Sequence, residues 1–237
     1  MEIFIGTSGW MYSWNPDGFR WYIDNSGLNS VELNMSFYRF PYPNQVKGWR
    51  RYSGETGLRW SVKVHRLITH THLLAGKAYR YMDGFLELFK PLDDYIDFYL
   101  LQLPPRFRFR GEYMDRVRDF TSTLGLKWRI AVEFRDRGWF NDRIVRFAGE
   151  NLFTFVSVDS PETIFYARSG PYIYIRFHGR SSWYSHNYTY GELYDAALKL
   201  RDLGGDKLYA YFNNDHDMLG NARLFKEIAW RLFLGDR

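Results

Sequence analysis

Short β-rich apolar runs recur about every 20 to 37 residues along this chain, and most are followed by an amphipathic stretch. This rhythm is typical of parallel strands that are joined by crossover helices. There are eight runs, at residues 3–8, 30–37, 60–65, 98–103, 130–135, 153–159, 172–178 and 208–213. The chain has 237 residues, close to the roughly 250 that a barrel of eight strand–helix units needs. The sequence therefore predicts an α/β fold, a single (β/α)8 TIM barrel over residues 1–237, with an open doubly wound sheet as the alternative.

Helical patterns follow most of the predicted strands. They lie at residues 43–52, 78–89, 113–124, 141–151, 190–203 and 220–233. Gly125 and Gly204 are placed as C-terminal stops. The helix after the first strand, at 19–25, is short, and a helix after the sixth strand, at 161–167, is expected to be short or missing.

Aliphatic and polar residues alternate within most of the predicted strands. Val31 and Leu33, for example, alternate with Glu32 and Asn34. In a barrel one parity of each strand faces the helices and the other faces the axis, so the inward set here is strongly polar. Barrel enzymes carry their active sites at the C-terminal ends of the strands. The pattern therefore predicts an enzyme site at that mouth.

The inward polar residues divide into two groups. In the deeper one, Glu32, Lys63, Glu133 and Arg176 have formal charges that cancel, which is typical of a self-neutralising framework. The second group lies nearer the mouth and contains Asn34, His65, Arg135, Asp159, His178, Arg180, Asn213, Asp215 and His216. This second group is the candidate site, because it combines proton-transfer groups with fixed cations.

Segments at the strand ends carry a family resemblance. They are Ile5-Gly6-Thr7-Ser8-Gly9-Trp10, Val31-Glu32-Leu33-Asn34 with Phe37-Tyr38, Lys63 with Ile68-Thr69-His70, Leu101-Gln102-Leu103-Pro104-Pro105, Val132-Glu133-Phe134-Arg135 with Trp139, Val158-Asp159-Ser160-Pro161, Ile175-Arg176-Phe177-His178-Gly179-Arg180 and Tyr211-Phe212-Asn213-Asn214-Asp215. In this order they resemble the family called domain of unknown function 72, or YecE-like proteins. The resemblance implies a TIM barrel and supplies no agreed activity. The chain departs from the family at Gly220-Asn221-Ala222, which are adjacent here and separated in the family pattern.

Two histidines and three acids are the catalytic candidates. His178 and His65 end strands on the inward parity, where an imidazole with a pKa of about 6.5 can exchange protons. Glu32, Glu133 and Asp159 come from three strands and could hold a divalent cation together with His178. Cations on the same strands compete for these carboxylates, so a metal stays an open possibility. The alternative for each histidine is a hydrogen-bonded structural role, and His70 and His72 are expected to be surface or capping residues.

Anion recognition is the binding chemistry that these residues favour. Arg135, Arg176 and Arg180 carry forked donors suited to a phosphate or carboxylate, with ion pairing to the acids as the alternative. Further binding candidates at the strand ends are Ser8, Gly9, Asn34, Lys63, Asn213, Asn214 and Asp215. Aromatic residues in the following loops either stack on ligand rings or pack as a lid: Trp10, Tyr12, Trp14, Tyr38, Trp139, Trp183 and Tyr184.

Composition limits the location and the partners. The formal charge of +5 and the pI of about 9.2 attract anions mildly, and solubility alone also explains them. Cysteine is absent from the sequence, which fits a reducing compartment. The first nine residues resemble a strand and not an export signal, and no apolar run is long enough to span a bilayer, so we expect a cytoplasmic protein that contacts no membrane. The sequence does not indicate an oligomeric state.

Three functions follow from these residues. The first is an enzyme that hydrolyses a phosphate ester or a nucleic-acid backbone, with His178 and Asp159 as acid/base groups or metal ligands. The second is a carbohydrate isomerase or glycosidase, which is disfavoured because the fourth and seventh strands end in Gln102 and His178 and not in acids. The third is a non-catalytic barrel that binds nucleic acid through basic charge and aromatic rings.

Overall fold

The computed structural model describes residues 1–235. Its parallel strands alternate with helices, so the predicted (β/α)8 fold class is confirmed. The barrel strands are β1 (Glu2–Thr7), β2 (Ser30–Leu33), β3 (Arg59–Lys63), β4 (Ile96–Gln102), β5 (Ile130–Glu133), β6 (Thr154–Asp159), β8 (Tyr172–Phe177) and β9 (Lys207–Phe212). A two-residue strand, β7 (Ile164–Phe165), pairs antiparallel with β6.

The helices lie close to their predicted positions. They are α1 (Gly18–Asn25), α2 (Pro43–Thr56), α3 (Ala78–Phe89), α4 (Gly111–Leu124), α5 (Asp142–Glu150), α6 (Tyr190–Asp202) and α7 (Met218–Leu234). Gly125 ends α4 with a left-handed backbone, as predicted. Gly204 has φ of +64° but lies two residues beyond the last residue of α6.

Several strands end earlier than the apolar runs predicted. The run at 30–37 is a strand only to Leu33, and Met35–Phe37 forms a 3₁₀ turn because the Phe37 N–H bonds the Asn34 carbonyl. The runs at 60–65 and 130–135 end at Lys63 and Glu133. Periodicity therefore marked the strands correctly and placed some of their carboxyl ends two to four residues too late.

No helix lies between β6 and β8, the next barrel strand of the described chain. The Ser160 and Thr163 backbones hydrogen-bond each other, and the Thr163 N–H also bonds the Ser160 hydroxyl oxygen at 3.1 Å. This turn folds the chain back so that β7 pairs with β6, Val158 opposite Phe165. The expected short or missing helix is thus replaced by a small hairpin.

The described residues divide into two compact units. The first contains 1–32 and 156–235. In it β9 lies between β1 and β8 in parallel register, with Glu2 and Tyr172 both opposite Lys207, and the final residues of β6 pair with β8. The core includes fully buried Ile5, Ile175 and Ala210.

The second unit contains 33–155. In it β4 lies between β3 and β5 in parallel register, with Tyr99 opposite both Val62 and Ile130. The apolar face of α3 supplies buried Phe85 and Phe89, whose rings are 4.8 Å apart. The prediction of a single domain over 1–237 stays a prediction. No helix within residues 1–235 is both long and apolar enough to cross a membrane.

Candidate anion-binding cleft and buried carboxylate networks

Glu32 forms a buried ion-pair network in the first unit. Its carboxylate accepts from Ser8 Oγ at 2.5 Å, Tyr174 Oη at 2.7 Å and Arg176 Nη2 at 2.6 Å. All four residues are fully buried. A buried carboxylate is tolerated when a guanidinium neutralises it and hydrogen bonds occupy its oxygens. Arg176 and Glu32 thus neutralise each other, as predicted for the deeper layer, and both carboxylate oxygens are engaged.

Asp159, at the end of β6, forms a second network. Its carboxylate accepts from Arg180 Nη2 at 2.8 Å, from Arg180 Nε at 3.1 Å and from Tyr188 Oη at 2.9 Å, and it also accepts from Tyr166 Oη. Burial, reinforced by the Asp159 charge, raises the pKa of both tyrosines above its ordinary range, so both stay protonated donors. Arg180 therefore forms an ion pair with Asp159, which was the alternative to anion recognition for this arginine.

His178 follows β8 and is fully buried. Its Nδ1 lies 3.2 Å from Asn213 Nδ2, within hydrogen-bonding distance of the side-chain amide. The rings of Trp183 and Tyr184 are 5.5 Å and 5.9 Å from the imidazole. Gly179 has φ of +101°, and a Cβ there would lie 2.5 Å from the Ser182 carbonyl oxygen, so this turn requires glycine. The imidazole is thereby oriented by Asn213 in an aromatic pocket.

The departure from the family pattern at Asn221 has a structural role. Asn221 Oδ1 accepts from Asn214 Nδ2 at 2.7 Å and from the Tyr188 N–H at 3.1 Å. Asn221 Nδ2 donates to Asn187 Oδ1 at 3.0 Å. Asn214 and Asn221 are both buried, so they tie the loop after β8 to the start of α7. Asp215 lies in a 3₁₀ turn with φ of +48°, and its carbonyl accepts from Trp14 Nε1.

A π-helical turn, Leu67–Thr71, follows β3 in the second unit. The His72 N–H bonds the Leu67 carbonyl at 3.0 Å, and His65 Nδ1 accepts from the Leu67 N–H at 3.1 Å. Leu73 and Leu74 then have φ of 49° and 61°. A left-handed backbone at two consecutive leucines is strained, and such strain clusters at functional sites. Single π-turns are often found at such sites too.

An open cleft of about 770 Å³ lies along this turn. Its volume is within the range of small-molecule sites. The lining residues are Phe37, Arg66, His70, Thr71, Pro104, Pro105 and Arg106. Arg66 and Arg106 are exposed, and Arg106 donates to the His70 carbonyl. None of the described lining residues is acidic, so the cleft wall is cationic.

His70 is the half-buried imidazole of this cleft. Thr69 Oγ1 lies 2.9 Å from its Nδ1, and the edge of its ring meets Phe37, with the ring centres 4.8 Å apart. Burial, followed by the charges of Lys63, Arg106, Arg66 and Arg135, lowers the pKa of His70 to about 4. His70 is therefore neutral at pH 7. His70 was expected to be a surface or capping residue, and the structure places it half-buried on the wall of the open cleft.

The other predicted residues of the second unit are distributed around this turn and β5. Glu133, the last residue of β5, pairs with Arg135 Nη2 at 2.9 Å, and the Lys63 ammonium lies 4.3 Å from the Phe37 ring centre. His65 is buried, its ring stacks on Phe40 at 4.4 Å, and it also hydrogen-bonds the Tyr38 backbone. Burial lowers the pKa of His65. These contacts support the structural alternative for His65.

The aromatic loop residues separate into packed and exposed ones. Trp10 is 8% exposed and packs on Phe19 at 4.6 Å, and Trp139 is fully buried. Tyr38 is 67% exposed. Trp10 and Trp139 therefore pack within the protein, whereas the Tyr38 ring is exposed and could contact a ligand.

The carboxylates do not assemble a metal centre in the part of the chain that the structure describes. Within residues 1–235, no three His, Asp or Glu side chains are grouped so that they could hold a metal ion. The two buried networks give the reason for Glu32 and Asp159, because guanidinium and hydroxyl donors already occupy their oxygens. The predicted convergence of Glu32, Glu133 and Asp159 with His178 on one cation is therefore not supported.

Sequence reasoning missed several residues of these sites. Tyr166, Tyr174 and Tyr188 hydrogen-bond the buried carboxylates. Tyr174 shares the inward parity of Arg176 on β8, but a tyrosine there is equally typical of core packing, and Tyr166 and Tyr188 lie outside the predicted strands. Arg66 and Arg106 follow strands and lie outside any alternating run. The available signal was the Ile68-Thr69-His70 segment, which the family resemblance already included.

The fold places this chain in the class of (β/α)8-barrel proteins with polar residues at their strand ends. The family described as "Protein of unknown function DUF72" matches residues 4–231, and the chain belongs to this family. No curated protein matches the chain.

Solved structures agree with this assignment. A DUF72 family protein from Thermotoga maritima is 23% identical, with a TM-score of 0.83 over 96% of this chain and 99% of that one. A DUF72 family protein from Enterococcus faecalis is 21% identical, with a TM-score of 0.82 over 96% and 95%. A D-psicose 3-epimerase crystallised with D-fructose is 16% identical, with a TM-score of 0.59 over the full length of both chains. At these identities the likeness shows the fold alone.

Proposed function

We propose that this protein is an enzyme that binds a phosphate-bearing substrate in the cleft of residues 33–155 and hydrolyses its phosphate ester. One observation carries the proposal: the exposed guanidinium groups of Arg66 and Arg106 line an open cleft beside half-buried His70, and none of the described lining residues is acidic. Cations that lie close enough together to depress an imidazole pKa also attract an anion into the same space.

The donor chemistry of the cleft supports phosphate. Arg66 and Arg106 carry planar forks of N–H groups, which match phosphate oxygens in pairs. Thr71 adds a hydroxyl at the same wall. Donors of fixed charge also stabilise negative charge that develops on phosphoryl oxygens during transfer, and this contribution is usually the largest in catalysis.

His70 is the proton acceptor of the proposed reaction. Its ring is neutral at pH 7, and Thr69 Oγ1 beside Nδ1 fixes its orientation. A bound phosphate adds negative charge and raises the His70 pKa toward neutrality, where an imidazole is most effective as an acid or base. Water adds to phosphorus, the ester P–O bond breaks, the water proton passes to His70 and the leaving oxygen takes a proton from solvent.

Binding tests the first half of the proposal. Sulfate, which keeps its charge across the working pH, is titrated into the protein by calorimetry. Arg66→Gln and Arg106→Gln should each weaken binding about tenfold, because one charge-assisted hydrogen bond is lost. Arg80→Gln, which removes the same charge from an exposed position on α3, is the matched control and should leave the affinity unchanged. Equal affinity in all four proteins would refute the cleft as the anion site.

Turnover tests the second half. Hydrolysis of a chromogenic phosphomonoester and of a short oligonucleotide is measured for the wild type, His70→Asn and His178→Ala. We expect His70→Asn to lower kcat about a hundredfold or more, as loss of a general base does. His178 stays a catalytic candidate from the sequence, and unchanged turnover in a folded His178→Ala protein would remove it. Absence of hydrolysis of both substrates by the wild type would contradict the enzyme proposal.

A further inference from the structure

The segment that follows the cleft residue Phe37 exposes aromatic rings. Tyr38 is 67% exposed, Phe40 37% and Tyr42 70%, and exposed Arg39 lies between them. Large aromatic side chains normally bury most of their surface, because exposing it to water is unfavourable. Exposed rings at alternating positions therefore indicate a surface that a ligand covers.

This segment is held against the cleft. The Tyr38 ring meets the Phe37 ring edge-on, with centres 5.0 Å apart, and Phe37 lines the cleft. Phe40 stacks on the buried His65 ring at 4.4 Å, which fixes the segment to the residue before Arg66. Pro41 is buried and Pro43 begins α2, so both ends of the Tyr42 backbone are stiff. The rings are thus presented on a rigid support beside the cationic wall.

We infer that Tyr38 and Tyr42 form a base-stacking platform, so that the phosphate-bearing ligand of the cleft is a single-stranded nucleic acid. This inference rests on the proposed function, because Arg66 and Arg106 bind the backbone phosphates. Tyr38 and Tyr42 are four residues apart, so their Cα atoms are separated by at most about 14 Å. Neighbouring unstacked nucleotides of one strand can span this distance. Stacking of bases on aromatic rings next to a positive groove is how proteins bind single strands without reading sequence.

Charge complementarity favours this ligand over an apolar partner. Arg39, which lies between the two tyrosines in the chain, and the cleft residues Arg66 and Arg106 are all exposed, and the chain carries a formal charge of +5. A single strand presents phosphates and unpaired bases together, so it uses both features at once. A duplex keeps its bases stacked inside and uses only the charges.

Fluorescence anisotropy with labelled oligo(dT), oligo(rU) and a DNA duplex of equal length tests the platform. We expect both single strands to bind more tightly than the duplex. Tyr38→Ala and Tyr42→Ala should each weaken single-strand binding about tenfold. Tyr38→Phe should keep it, since stacking uses the ring and not the hydroxyl. Tyr190→Ala, which removes a 53% exposed ring from α6, is the matched control and should change nothing.

Sulfate titration of the same variants separates the two proposals. The platform predicts that Tyr38→Ala and Tyr42→Ala bind sulfate as the wild type does. Equal binding of duplex and single strand, or unchanged single-strand binding by both alanine variants, would overturn the platform and leave the cleft intact. If sulfate binding is also insensitive to Arg66→Gln and Arg106→Gln, the proposed function itself fails.

Discussion

The two units of this protein use the same charged residue types in different ways. In residues 1–32 and 156–235, Glu32 and Asp159 are each neutralised by one arginine and further bound by tyrosine hydroxyls, which leaves each carboxylate satisfied. In 33–155, two arginines line an open cleft beside a histidine that burial and four nearby cations keep neutral. Both units thus contain paired charges, since Glu133 pairs with Arg135 in the second, but only the second also has two exposed arginines on the wall of a cleft. The proposed function assigns those two arginines to ligand binding.

The largest difference should appear when the buried pair of the first unit is broken. Arg176→Met leaves the Glu32 carboxylate buried without its counter-ion and should lower the free energy of unfolding by about 3–5 kcal/mol in urea denaturation. Arg116→Met, which removes one member of a surface pair with Glu112, should cost no more than about 1 kcal/mol. Glu32→Leu combined with Arg176→Met should recover much of the lost unfolding free energy, because neither charge of this pair remains buried. A loss under 1 kcal/mol for Arg176→Met would mean that Glu32 is not a structural charge.

A smaller loss is expected when one donor of the Asp159 network is removed. Tyr188→Phe deletes the hydroxyl that donates to the carboxylate at 2.9 Å, and a hydrogen bond to a charged group contributes about 1.5–3 kcal/mol. Thermal or urea unfolding checks this value. Tyr190→Phe, which deletes an exposed hydroxyl nearby in sequence, provides the control. If the two variants were equally stable, the network would not be holding the loop.

The cleft should respond to pH through His70. The His70 pKa of about 4 lies below the value of about 6.5 for an unperturbed histidine, so His70 is neutral between pH 4 and pH 6.5 when no anion is bound. A bound anion raises this pKa, and sulfate binding should therefore take up protons and strengthen several-fold as the pH falls from 6.5 toward 4. Calorimetry in two buffers of different ionisation enthalpy measures the uptake. His70→Asn should abolish it, and persistent uptake in that variant would assign it to another group.

The smallest effect is expected for the stability of the cleft variants. Arg66→Gln and Arg106→Gln remove exposed cations from a cluster of like charge, so unfolding free energies should stay within about 0.5 kcal/mol of the wild type. The same urea denaturation checks them beside Arg176→Met. A decrease of several kcal/mol in the unfolding free energy would show that the cleft arginines stabilise the fold, and the contrast between the two units would then be wrong.

The fold could be predicted from the sequence because it depends on local periodicity. Alternation of Val31 and Leu33 with Glu32 requires one apolar and one polar face, and eight such strands separated by helical patterns admit few architectures. The end of β2 was predicted four residues late, because Met35 and Phe37 continue the apolar pattern after the backbone has turned. Side-chain pattern does not record backbone hydrogen bonds.

The site was predictable only in part. The sequence identified Glu32, Asp159, His178 and Arg176 as polar strand-end residues, and their burial follows from the inward parity. Tyr174 shares the inward parity of Arg176, but the sequence could not predict that Tyr174 and Tyr188 would hydrogen-bond those acids, because both contacts join residues that are distant along the chain.

By itself the sequence determined the fold class, the helix and strand order and the polar character of the strand ends, since these follow from residue patterns over a few positions. The sequence also predicted that the deeper charges cancel, but the tertiary structure decided which residues pair and which charges stay exposed, as Glu133 pairs with Arg135 and the cleft arginines are exposed. The Leu67–Thr71 turn is the clearest case: one unusual backbone turn brings His70 among cations from three separate segments. The strength of an electrostatic interaction depends on the distance between the charges and on their burial, and neither follows from the spacing of residues along the sequence.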